Sequence, residues 1–442
     1  MSKTASLPPG AMGLPYIGET LAFGRNPFGF LEDRQKRHGN VFKSRLFGRN
    51  IVFLAGLEGA EAFYNADNIS RADAHPFPLV QLFGGVNIEM YDGPKHLALK
   101  SMALEAFNHE AISGYLPAMQ DLIETALQRL ARQKEFAACT ELRRLSIELI
   151  CANVLGLPPG SQTEAMTMDY GILLPGLIAV PVAVPGATYS RALLARDRIL
   201  AHIRALIAER RQRPGSDGLS RILTARAANW RTFTDEEALL EVHHIVMAGF
   251  IVYAHMAEAM RRLAEQPQLR ERCRDEIRQH SASGAISMEA LAKLKASMNV
   301  VLESKRFVPL VPLAFGKAKR TFDCVGFRVP ADWTVYLVLS LNNQDPAIYT
   351  NPKAFDPDRF VRGEHRKHPM AFIPQGAEPP TGHRCLGLDY STFVSLTFLT
   401  ILVRDYDWEL PPQNLEYNWQ KLPPEPRDGL RVALRRRNGG PI

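Results

Sequence analysis

The residue best placed for chemistry in this 442-residue chain is a cysteine. Cys385 stands in Gly382-His-Arg-Cys-Leu-Gly387, after a basic pair, between small residues, and just before an apolar run, Leu388 to Val403, that reads as a helix. The positive end of a helix and the neighbouring His383 and Arg384 depress a thiol pKa. A thiolate held alone suits a soft or intermediate metal. Axial ligation of haem iron is one such use, in which sulfur pushes electron density onto iron and favours O–O cleavage. The same residues also fit a buried, inert cysteine.

Two further constellations lie upstream. In Glu303-Ser-Lys-Arg306 the acid and the arginine are three apart and share a helix face, which in isolation describes an ordinary surface ion pair. Phe355-Asp-Pro-Asp-Arg-Phe360 is a proline-bearing loop whose Arg359 can join that pair. Each is weak alone; their order and spacing before the cysteine give them weight.

The elements that must position these residues follow from composition and periodicity. With 46% hydrophobic and 22% charged residues the chain is globular, and it is long enough to enclose a cavity. Residues 1–25 form a Pro/Gly-rich leading segment. A short helix is expected from Asn26 to Arg37, closed by Gly39, and two apolar runs in 41–54, broken by Gly48-Arg49-Asn50, read as a hairpin. Residues 96–310 carry mostly helical periodicity. Thr234-Asp-Glu-Glu237 is a capping box opening a helix expected to run unbroken, Gly249 aside, to Gln266-Pro267, roughly 45 Å. Strand signals return in 324–339, and 385–403 contributes the last core helix. The expected fold is mainly α with a small β region built from both ends of the chain, in a single large domain spanning 1–442.

Several classes are excluded. The 53 basic and 46 acidic residues leave a charge of +7, part of it in Arg435, Arg436 and Arg437, with no basic–aromatic pattern pointing to nucleic acid. Five widely spaced cysteines without a C-x-x-C disfavour a disulfide scaffold and fit a reducing compartment. The N-terminus shows no leader pattern, and prolines 175, 181 and 185 interrupt the uncharged stretch Gly171–Ser190, so no membrane span and a cytoplasmic location are expected.

Taken together, E-x-x-R, F-x-P-x-R-F and Cys-x-Gly in this order resemble the cytochrome P-450 family of haem-thiolate enzymes. The resemblance implies haem b with Cys385 as proximal ligand. It also implies a buried charge triad of Glu303, Arg306 and Arg359, with His383 and Arg384 beside a propionate or in the proximal loop. Twelve residues separate Phe372 from Cys385. This expanded loop, Phe372-Ile-Pro-Gln-Gly376 at its start and Gly-His-Arg-Cys at its end, resembles the bacterial fatty-acid peroxygenase branch. Arg45-Leu-Phe-Gly-Arg-Asn50, Leu82-Phe-Gly, Tyr91-Asp-Gly-Pro-Lys-His96, Leu415-Glu-Tyr and Leu422-Pro agree with that branch, and His96 and Lys100 would then face the propionates.

The distal helix departs from the family pattern. Oxygen-activating members follow an Ala-Gly pair with an acid and an alcohol that relay protons; here Ala248-Gly249 precedes Phe250, Ile251, Val252 and Tyr253, and neither Ile251 nor Val252 carries a proton. The carboxylate-binding Arg-Pro pair of the peroxygenase branch falls on Met247 and Ala248. Gln81, His243, His244, Tyr253 and His255 are the candidate substitutes. Met247, Ala248, Ile251, Val252, Val308 and Pro309 would line a mostly apolar substrate pocket, and Leu173–Pro185 its mouth. The expected activity is oxidation of a hydrophobic small molecule, peroxygenase-like with hydrogen peroxide, or as a monooxygenase with a separate ferredoxin and reductase. A haem-thiolate isomerase, lyase or dehydratase, or a non-catalytic haem-binding partner protein, are the alternatives.

Overall fold

The expected hairpin starts the largest sheet. Val41–Leu46 (β1) and Arg49–Leu54 (β2) pair antiparallel, Phe42 opposite Phe53 with the two rings stacked at 4.9 Å. Ile69–Ser70 (β3) and Leu313–Ala318 (β4) belong to the same sheet. Phe322–Cys324 (β5) and Phe327–Val329 (β6) form a separate hairpin, and Thr334–Val338 (β7) returns to the main sheet, whose order is β1-β2-β7-β4-β3. The β2/β7 pair is parallel, so the two ends of the chain meet in one β region as expected. The computed structural model describes residues 5–182, 184–228, 230–377 and 382–437.

Helices form the rest. Pro27–His38 (α1) begins with the Asn26 side chain accepting from the Gly29 amide and ends at Gly39, whose φ of +85° favours glycine. Gly93–Ala103 (α2), His109–Leu130 (α3), Ala138–Ile150 (α4) and Thr188–Gln212 (α5) follow. Asp235–Phe250 (α6), Tyr253–Glu265 (α7), Lys295–Phe307 (α8) and Leu388–Asp405 (α9) carry the site. α9 is buried along most of its length and packs against α3, α7 and α8.

The capping box is present: Thr234 Oγ1 accepts from the Glu237 amide and Glu237 Oε2 from the Thr234 amide, both at 3.2 Å. The unbroken helix it was expected to open is instead two helices, α6 and α7. At Ile251–Val252 the bonding tightens to three-residue steps, Val252 N to Gly249 O at 3.3 Å and His255 N to Val252 O at 3.0 Å. A Cβ on Gly249 would lie 2.6 Å from the Ile150 side chain of α4, which packs into the space the glycine leaves. Gly249, Ile251 and Val252, a glycine and two β-branched residues within four positions, also make this a poor helix-forming stretch. Among the described residues Asp235–Glu265 is the only stretch long and apolar enough to cross a membrane, and 78% of its apolar window is buried inside the molecule.

His243 of α6 is wholly buried, with Tyr170 Oη 3.0 Å from Nδ1 and the Leu82 carbonyl 3.0 Å from Nε2, a pair that suits the neutral ring. Burial pushes it down to about 4, against the pull of the Leu82 carbonyl. Its native pKa is below its unfolded value, so the unfolded chain binds a proton the native state refuses. Its contribution is full above the unfolded pKa and is lost as pH falls from about 6.5 through about 4, up to about 3 kcal/mol. Thermal unfolding over that range is expected to show a shallower pH slope in His243→Gln than in the wild type; equal slopes would contradict this.

Candidate active site

Cys385 lies in the turn before α9 and is half-buried, whereas the other four cysteines are buried. Burial pushes Cys139, Cys151 and Cys273 up to about 12 and Cys324 to about 11, which leaves them inert as thiolates. The loop that presents Cys385 is closed by backbone: its amide donates to the Gln375 carbonyl at 2.9 Å, and Gly376 takes φ +85° in the turn. A Cβ there would come within 3.3 Å of Tyr64 Oη and 3.4 Å of the His383 carbonyl. Gln375 Nε2 lies 3.6 Å from the sulfur. Residues 378–381 of the expanded loop fall outside the described residues.

Behind this loop the expected triad is assembled. Glu303, Arg306 and Arg359 all have no solvent exposure. Arg306 binds Glu303 through two parallel bonds of 2.8 Å, and Arg359 Nε donates to the same carboxylate at 3.0 Å. The Asp356 amide donates to Glu303 at 2.9 Å, and the Asn343, Thr350 and Ala354 carbonyls accept the remaining guanidinium protons. Glu364, which the sequence reading missed, takes Arg359 Nη1 at 2.9 Å and supplies the second negative charge. Burial alone would raise its carboxyl, but the Thr350 amide with Arg362 and Arg359 holds it below its usual range. Phe360, next to Arg359, meets Phe372 edge-on at 5.3 Å and so carries the triad to the start of the cysteine loop.

On the other side of Cys385, His383 stacks on His96 of α2 at 4.0 Å and pairs with Asp92 at 3.5 Å. Lys100 Nζ donates to the Arg384 carbonyl at 2.6 Å. Burial, then His383 and Lys100, push His96 down to about 3, and its Nε2 is buried without a hydrogen-bond partner. Burial would raise Asp92, but His383, Ser70 and the Arg71 and Ala72 amides hold it well below the carboxylate range.

Three residues before Asp92 lies Glu89, which faces α6. His244 Nε2 and His75 Nε2 each lie 3.6 Å from its carboxylate, and Glu241 binds His244 at 3.7 Å and the Ile88 amide at 3.2 Å. Burial would raise Glu89, yet the positive field of His75, His244 and Arg71 holds it well below its usual range. Burial would lower His244, yet Glu241 and Glu89 raise it. Beyond its exposed first turn α6 is mostly buried, but His244 is half-exposed, Ala248 exposed and Ile251, just past its end, half-exposed, at four- and three-residue steps. These three residues share one side of the segment, and His244 turns that side toward Glu89.

The other sequence candidates sit elsewhere. Gln81 Oε1 accepts from Tyr189 Oη at 2.9 Å, toward α5. Tyr253 donates to Glu425 at 2.5 Å, and His255 is buried. Met247, Val252 and Val308 are in the main apolar core and Pro309 is buried, while Ala248 and Ile251 lie on the side shared with His244. Glu89 was missed because it reads as an ordinary loop acid; its place three residues before the Asp92-Gly-Pro-Lys-His96 segment was the available signal.

The profile of the Cytochrome P450 family matches residues 8–426. The chain belongs to the cytochrome P450 family. This P450 is similar to putative cytochrome P450 120 of Synechocystis sp., 29% identical over 435 residues, covering 97% of this chain and 96% of the relative. It is also similar to abscisic acid 8'-hydroxylase 4 of Arabidopsis thaliana, 26% identical and covering 98% and 93%. The structure of retinoic acid-bound cyanobacterial CYP120A1 superposes with a TM-score of 0.91 at 27% identity, over 98% and 100% of the two chains. Cytochrome P450EX alpha (CYP152N1) with myristic acid shares the fold, with a TM-score of 0.82 at 24% identity over 98% and 100%. Members of the family carry haem b, and the residues here fit it: the orphaned His96 Nε2 beside Lys100 and His383 is a donor set for acidic propionates, and Cys385 is the accessible sulfur.

Removing the Glu303 carboxylate strands the buried Arg306 guanidinium and leaves Arg359 with Glu364 as its one carboxylate among the described residues. Glu303→Ala is expected to destabilise the protein by about 3–5 kcal/mol in denaturant unfolding; an unchanged midpoint would contradict the shared-carboxylate geometry.

Proposed function

We propose that this P450 holds haem b iron through Cys385 and oxidises an apolar or amphipathic molecule, with hydrogen peroxide as oxidant and Glu89 as the acid–base group. Bound there, haem supplies the oxidising chemistry, with thiolate donation favouring O–O cleavage. His96, Lys100, His383 and Arg384 would hold the propionates, and the triad would fix the proximal loop.

The observation that carries the reading is the placement of the Glu89 carboxylate, 3.6 Å from both His75 and His244 and facing the side of α6 that holds Ala248. Ile251 and Val252 cannot move protons. Glu89 would pass the proton from one peroxide oxygen to the other as the O–O bond breaks and water leaves, the remaining oxygen going to the substrate through the chemistry haem supplies, while His244 holds the balancing charge. A second carboxylate beside Glu89 would be repelled, so the substrate's reacting end is uncharged. The apolar face at Ala248 and Ile251, and exposed Val180, Val182 and Val184 in the expected mouth (57%, 46% and 59%), support a greasy substrate; residue 183 of that mouth lies outside the described residues. The resemblance to the bacterial fatty-acid peroxygenase branch also supports this reading. Dioxygen with a separate ferredoxin and reductase is the second reading, favoured by the hydroxylase name of the Arabidopsis relative.

The test is product formation from a panel of lipophilic acids and arenes, with peroxide alone and with ferredoxin, reductase and NADPH. Peroxide-driven products, falling about 100-fold in Glu89→Gln, are expected. Products only with the reductase system would favour the second reading, and full peroxide activity in Glu89→Gln would remove Glu89 from it. Cys385→Ser is expected to lose the thiolate-type absorption band of the ferrous carbonyl complex; a retained band would overturn the ligand assignment.

A further inference from the structure

Lys305, between Ser304 and Arg306 in the triad's own motif, is a buried cation that the chemistry above leaves without a role. Its side chain has no solvent exposure. Nζ donates to Gln375 Oε1 at 2.7 Å, Thr392 Oγ1 at 2.7 Å, Ser391 Oγ at 2.9 Å and the Leu388 carbonyl at 3.1 Å. Ser391 and Thr392 give their own hydroxyl protons to the Leu388 carbonyl, at 2.9 and 2.7 Å. Every neighbour therefore presents a lone pair to Nζ. An ammonium shares its three N–H groups among these four acceptors, whereas a neutral amine would set its own lone pair against an oxygen. Among the described residues no carboxylate lies within 4.0 Å of it; burial brings it down to about 7, and the charges that oppose this are Cys385 and Asp389.

The ammonium also decides which way the Gln375 amide points. The oxygen must face Lys305, so the NH2 group must face away, toward Cys385 Sγ at 3.6 Å and Ser391 Oγ at 3.2 Å. A donor aimed at a thiolate, backed by a positive charge one amide away, withdraws electron density from the sulfur. A poorer sulfur donor raises the reduction potential of the iron it binds.

We propose that Lys305 is a positioning residue that, through Gln375, sets how strongly the Cys385 sulfur donates to haem iron. This rests on Cys385 being the iron ligand. The experiment measures the ferric/ferrous midpoint potential and the C–O stretch of the ferrous carbonyl complex in wild type, Lys305→Met and Gln375→Leu. Both variants are expected to keep the thiolate-type band, lower the C–O stretch and shift the potential negative, by at least tenfold in the reduction equilibrium for Lys305→Met, about 59 mV for one electron. Unmoved potential and stretch in a haem-loaded variant would overturn the proposal. If Lys305→Met fails to hold haem, Gln375→Leu decides alone: a shift supports the role and no shift ends it. A wild-type protein without the thiolate-type band would instead sink the ligand assignment itself, so the two failures are distinguishable.

Discussion

Two guanidiniums and the carboxylate they share, all out of contact with solvent, constrain the site more tightly than any apolar packing in it. A buried charge missing its partner costs several kcal/mol, so Arg306, Arg359 and Glu303 are buried together or not at all. Meeting that condition fixes α8 against the loop from Asn343 to Arg359, whose carbonyls accept the remaining protons. The Phe360–Phe372 contact passes the constraint to the loop that carries Gln375 and Cys385. The sulfur's position is thus set by electrostatics some distance behind it, which leaves Cys385 itself half-buried and free to bind.

The two sides of the site are polarised in opposite senses. Around Cys385, Lys305 and the N-terminus of α9 surround a single sulfur with positive potential. Across the site, Glu89 and Glu241 bring negative charge to a helix face that otherwise offers only alanine and isoleucine, and two histidines balance them. In the proposed chemistry thiolate donation and proton handling are separate tasks, and each falls to its own ionic cluster, buried around Lys305 and half-buried around Glu89.

Local features were legible in the sequence because local physics decides them. The Thr234–Glu237 capping box, the hairpin at 41–54 and the turn into α9 depend on residues within a few positions of one another, and E-x-x-R with its later arginine carried enough order to be read at a distance. The break at Ile251–Val252 was not legible, since one tightened turn hardly disturbs a helical period, and the Ile150 side chain that packs against Gly249 beside it lies about a hundred residues away. Glu89 became distinctive only when α6 brought His244 to it. Lys305 carries no signal of its own in the sequence, because Ser391 and Thr392, which enclose it, come from a helix much later in the chain.

Iron-edge X-ray absorption of the purified, haem-loaded protein probes the central assignment most directly, because it reports the atoms bound to the metal without any turnover. One sulfur scatterer completing a shell of porphyrin nitrogens is the result this account predicts. A shell of nitrogen and oxygen alone would contradict it, whatever oxidations the protein performs.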